Sequence, residues 1–219
     1  MLDHFLRNGL TSAALVLLLS YLAHRAARQK LRALPTAAMA LLSLCMAAVF
    51  QLTGVSAMNH FRLPNLADGF SFVPCIGMYE IVQTAVAYDE PVYAIANLGG
   101  NLLMFAPLGF LLPLLWKRFR KLWKTALFAF GTSLLIECTQ TFVGRGFDVD
   151  DLLLNTLGAV LGYGAYRLLA RLWGDARDRC TLAPMQNAPG RLLPYLSVLI
   201  PYAVSFCYGF LDRAIYLAA

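Results

Sequence analysis

Apolar stretches close to the roughly 20 residues a helix needs to cross hydrocarbon recur along the whole of this chain. No soluble core could hide them: 59% of the 219 residues are apolar and 14% charged, against roughly 45–50% and 25% in an ordinary soluble domain. Lipid is therefore the solvent. The chain is predicted to be an all-α membrane protein, a polytopic helical bundle of about six transmembrane helices in the plasma membrane. The spans are read at Leu6–Ala23, Leu34–Val55, Ile95–Trp116, Lys124–Phe142, Leu152–Trp173 and Leu193–Leu211. The first is short and the last contains Pro194 and Pro201, so five spans are an alternative to six.

Charge orients the bundle. Fourteen of the eighteen Lys and Arg residues fall in three segments abutting helix ends, Arg25 to Arg32, Lys117 to Lys124 and Arg167 to Arg191. Short loops rich in Lys and Arg stay cytoplasmic, which predicts an N-out, C-out topology with most acids outside. Positive charge follows the first apolar run instead of preceding it, so that run reads as a retained span and not a cleaved signal. The net charge of +6 is then a topology signal that brings contact with membrane lipids, anionic ones included. No nucleic-acid module and no basic stripe interleaved with aromatics accompanies it, so nucleic acid is not an expected partner.

The five cysteines form neither a disulfide set nor a metal spacing. His4, His24 and His60 are too scattered for zinc. Trp116, Trp123 and Trp173 stand at the inner helix ends, where an aromatic belt is expected.

The spans divide the chain into residues 1–55, with two N-terminal helices; 56–94, an extracytoplasmic loop; 95–173, a three-helix core; 174–192, a cytoplasmic linker; and 193–219, a C-terminal helix and tail. Within the loop, Phe70–Ala87 is too short and too interrupted by Pro74, Gly77 and Glu80 to span, and is read as an interfacial or re-entrant segment. No internal repeat supports an inverted-repeat transporter.

The polar residues of the core carry the chemistry. Asn97 and Asn101 share one face in the outer half of the third span, as do Ser133, Glu137 and Gln140 at the outer end of the fourth. The fifth span opens with Asp151 and Asn155, followed on the same face by Gly158 and Gly162, a spacing that lets helices approach closely. Arg145, Asp148 and Asp150 lie in the loop above. An ionisable residue inside a span costs at least ~2.5 kcal/mol unless paired or wetted, so Glu137 should face the bundle or a watery cleft, with Arg145 as its partner. The competing reading is structural: Asn and Gln as interhelical hydrogen-bond glue, and Asp150 or Asp151 as a helix N-cap. Pro107 and Pro113 are expected to kink the third span.

At these residues the sequence resembles the VanZ-like family. Asn97-Leu-Gly-Gly-Asn101-Leu-Leu-Met-Phe105-Ala-Pro107-Leu-Gly109 is similar to one of its motif blocks. Glu137-Cys-Thr-Gln140, then Arg145-Gly-Phe-Asp148-Val-Asp150-Asp151-Leu-Leu-Leu-Asn155-Thr-Leu-Gly158, is similar to its most characteristic one. The resemblance runs from about Asp68 to Tyr166; in Phe72-Val-Pro74-Cys75 the family's aromatic is replaced by Cys75. It implies Asn97, Asn101, Glu137, Gln140, Arg145, Asp148, Asp150, Asp151 and Asn155 as ligand-binding residues, and an association with low-level resistance to the glycopeptide teicoplanin.

Two functions are weighed. One is a non-enzymatic envelope protein whose outer-leaflet cleft binds a lipid phosphate or a lipoglycopeptide. Arg145 would meet the anionic head group, Asp148, Asp150 and Asp151 would hold the loop or share a divalent cation such as Mg or Ca, and the Gly158/Gly162 groove would set the cleft width. The other is an enzyme acting on a lipid-linked envelope intermediate, with Glu137 as general acid or base and Arg145 stabilising charge. A proton-coupled carrier using Glu137 is a third class.

Overall fold

The computed structural model describes residues 2–56, 61–64, 69–184 and 188–218, without the side chains of 2–5, 175, 188–189 and 211–218. His4 and His60 lie outside that description. The described residues form seven α-helices: α1 (Leu2–Ala26), α2 (Ala33–Leu52), α3 (Ile76–Ala87), α4 (Pro91–Leu115), α5 (Leu122–Gln140), α6 (Val149–Trp173) and α7 (Ala188–Ala218). All but α3 are long and apolar enough to cross a bilayer, so the protein is a polytopic bundle with six such helices among the described residues. At 12 residues α3 is too short to span, and it buries only Ala85.

Helix ends follow local chemistry. α4 begins at Pro91, whose missing N–H is one of the donors a first turn leaves unused anyway. α5 runs into a 3-10 turn, Thr141–Val143, and then Gly144 turns the chain at φ 79°. In lipid a polar group must be satisfied within the protein. Thr53, Thr132, Thr139 and Thr156 accordingly return their hydroxyls to carbonyls four residues back.

The most extensive helix pair is α4 with α6. Small residues explain its closeness: a Cβ on Gly158 would strike the Leu102 carbonyl, one on Gly162 the Ala106 carbonyl, and one on Gly109 the Ala159 backbone. The expected Gly158/Gly162 groove exists, but α4 fills it with backbone, so it cannot set the width of a ligand cleft. α4 is one continuous helix containing both Pro107 and Pro113. α5 packs on α6, α2 on α4, and α7 closes against α1 and α2. Phe50, Phe105, Leu108, Leu112, Leu115 and Ile136 form the centre of the apolar core.

Polar ties fix the outer helices to this core. Asn8 of α1 donates to Ser205 of α7 at 2.8 Å, both buried. Tyr202 of α7 meets Thr139 of α5 at 2.8 Å and stands edge-on to Phe50 of α2. Trp123 and Trp173 are exposed, as a belt requires, whereas Trp116 is buried and packs edge-on against Phe119 in the core. All five cysteines are free.

Candidate functional site

The polar residues gather where α3, α4, α5 and α6 meet, and the loop between α5 and α6 organises them. Its backbone pairs with the segment before α3: Ser71 N–H donates to Phe147 O at 2.8 Å, and Val149 N–H to Ser71 O at 3.1 Å. This short parallel bridge holds Asp148 and Asp150 over the first turn of α3. Asp150 is 3% exposed and accepts from Cys75 N–H at 2.5 Å and Met78 N–H at 2.9 Å. Its carboxylate thus occupies the N-terminus of α3, where unpaired amides and the helix dipole favour an anion. Cys75 reaches that position in a left-handed conformation, φ 70°. Gly77 makes room: a Cβ there would lie 3.1 Å from Asp150 Oδ2 and 3.3 Å from Asp148 Oδ2.

The N-cap of α6 is Asp148, accepting from Asp150 N–H at 2.8 Å. The sequence reading offered Asp150 or Asp151 for that role. The correction is physical: only the residue just outside the helix has the extended backbone that lets its carboxylate turn back on the first turn, and Asp148 has φ −122° and ψ 117°. Burial pushes the Asp148 carboxyl above its ordinary value.

Glu137 is 1% exposed and faces the bundle. Its partner is not Arg145. Glu137 Oε2 accepts from Asp148 N–H at 3.0 Å, and no ion pair joins Glu137 to Arg145. Arg145 instead donates to Thr53 O at 3.2 Å, the carbonyl at the end of α2 that also accepts from Gln140 Nε2 at 2.8 Å. Sequence proximity pointed to the pair, but the left-handed turn at Gly144 carries the guanidinium toward α2.

The remaining candidates separate by depth. Asn101 donates to Asp151 Oδ1 across α4 and α6. One turn deeper, Asn155 donates to Ser133 Oγ at 2.9 Å, and its own Oδ1 is buried without a hydrogen-bond partner. Asn97 does not join them; it is exposed and returns its amide to Tyr93 O at 2.7 Å.

The three aspartates do not form a cation cage. Asp150 is committed to α3, Asp148 caps α6 and Asp151 takes the Asn101 amide. Among the described residues no group of three His, Cys, Asp or Glu is arranged to hold a metal ion. Sequence reasoning missed Ser71, Gly77 and Thr53. Ser71 and Gly77 flank the Phe72 to Cys75 segment, which was the available signal; Thr53 acts through its carbonyl, and no side-chain pattern marks it.

Aromatic rings border the site. Phe72 stacks between Phe70 and Phe147 at 6.0 and 5.7 Å, and Phe61 stacks on Phe142 at 5.9 Å. Arg62 crosses to this loop, donating from its backbone to Phe142 O and from its side chain to Gly144 O.

These features define a class: a helical membrane protein whose acidic residues lock a short, largely exposed helix to the end of its core. Residues 36–170, well over half of the chain, match the VanZ/LLP1 family. The protein belongs to that family, as the motif residues implied. Comparison with curated proteins and with solved structures gives no match.

Proposed function

We propose that the protein is a binding protein of the cell envelope that takes the anionic head group of a lipid phosphate, or a lipoglycopeptide of the teicoplanin type, at Arg145 on the outer leaflet. The observation that carries this reading is how Arg145 is held. Arg145 is an exposed residue whose guanidinium is fixed by the neutral Thr53 carbonyl at 3.2 Å and makes no contact ion pair with a described carboxylate. A guanidinium with several open donors suits a phosphate or carboxylate. Phe147, two residues along the loop from Arg145 and stacked on Phe72, gives the apolar part of an amphiphile a surface. Asp151 and Asn101 form the half-buried polar wall, and Asp148, Asp150 and Glu137 hold the loop.

The burial of Glu137 under Asp148 favours binding over turnover, because a general acid or base must reach the proton it moves. The test is titration of the purified full chain with undecaprenyl phosphate and, separately, teicoplanin. Saturable binding of one of them should weaken about tenfold in Arg145→Gln, the equivalent of roughly 1.4 kcal/mol. Equal affinity in the variant would sink the proposal. Multiple turnovers of a labelled undecaprenyl-linked lipid, lost in Glu137→Gln, would establish the enzyme instead.

A further inference from the structure

At the far end of α6 from the acidic cluster, the helix and the 3-10 turn Gly174–Cys180 border a half-open cavity of about 280 Å³ lined by Arg120, Tyr166, Arg167, Ala170, Arg171 and Arg177. Two of its lining residues are buried: Tyr166 is 2% exposed and Ala170 7%. Its walls are four guanidiniums. Among the described side chains the carboxylate that faces them is Asp178, which takes Arg120 at 2.5 Å and Lys117 at 3.3 Å and lies 3.9 Å from Arg177.

The charge is therefore far from balanced, and part of it is desolvated. Arg177 Nε is buried without a hydrogen-bond partner, a costly state for a group belonging to a cation. Arg167 and Arg171 make no hydrogen bond or ion pair with a described residue, and the Tyr166 hydroxyl is likewise uncommitted. Cationic side chains that only marked the cytoplasmic face would splay into water. Here they converge over a buried phenol.

We propose that this cavity is a binding site for a phosphate group. A phosphate offers several acceptor oxygens to planar guanidinium forks and supplies the negative charge that Arg167 and Arg171 lack. The site stands beside Leu168, Leu172 and Trp173, all exposed as lipid-facing residues are at a membrane boundary. Both a phospholipid head group and a soluble phosphate have the required chemistry. The site is separate from the Arg145 surface and does not depend on the function proposed there.

The test uses the full chain in nanodiscs of phosphatidylcholine. One arm adds phosphatidic acid to the discs, and the other adds inorganic pyrophosphate to the buffer; bound ligand is read by native mass spectrometry. Saturable binding is expected in one arm, which names the source. Arg171→Gln, at an exposed position that should not disturb folding, should weaken it about fivefold, as should Arg177→Gln. Arg191→Gln, a cation of the same face but outside the cavity, should leave it unchanged. Asp178→Asn should tighten it, since the competing carboxylate is gone; a merely structural role predicts no gain. No saturable binding in either arm, or equal loss in Arg191→Gln, overturns the proposal.

Discussion

The Asp148 carboxylate caps α6 while lying close to Asp150 and Glu80, and burial raises its pKa above the ordinary 3.8. The sign of its effect on folding follows from linkage. In the unfolded chain the group loses its proton near the ordinary value; in the fold it holds the proton to higher pH. Its contribution to stability is therefore complete below about pH 4 and is lost as pH rises through the folded value. Asp148→Asn should flatten that part of the pH profile while retaining a cap, because the Asn oxygen still accepts from Asp150 N–H. Thermal unfolding of both proteins across acid pH is the measurement, and superimposable profiles would refute the assignment. Much at this scale was legible. Helix spacing put Asn101, Ser133, Asp151 and Asn155 on faces at similar depth, and the structure pairs Asn101 with Asp151 and Asn155 with Ser133. The partners of Asp150 and Arg145 were not legible. Asp150 reaches α3 and Arg145 reaches the end of α2, and neither direction is encoded in residue spacing within the loop that carries them.

Among the helices, α4 and α6 set the frame in which every polar pair sits. Their approach depends on missing side chains, so the response to volume should be steep. Gly158→Ala places a methyl against the Leu102 carbonyl, a backbone atom that cannot rotate away. Overpacking of this kind costs about 1–3 kcal/mol. Gly164→Ala is the control, since a Cβ there meets nothing within 4 Å. Gly158→Ala should lower the unfolding temperature and the yield of folded protein in detergent, and Gly164→Ala should not; equal behaviour would mean the helices are not packed this closely. The six apolar helices were legible because hydrocarbon thickness sets their length. The filling of the glycine groove by α4 was not, because a small-residue stripe shows that something approaches closely without saying what.

For the whole molecule, the N-out, C-out topology is proposed from charge, with fourteen of eighteen cations on one side. Glu90, exposed at the start of α4, and Lys121, exposed before α5, sit at opposite ends of the bundle and serve as labelling positions. With the native cysteines removed, Glu90→Cys should react with an impermeant thiol reagent on intact cells and Lys121→Cys should not. The reverse pattern would invert the topology and move the Arg145 surface to the cytoplasm.

The bond from Cys75 to Asp150 also imposes an order in time. The two residues are separated by 75 positions, and a ribosome adding about 5–20 residues per second takes roughly 4–15 s to cover that distance. For most of that interval α3 has been made but lacks the anion that seats its first turn. The short helix must wait while α4 and α5 are synthesised and the start of α6 emerges, and it is seated before α7 exists to tie itself to α1.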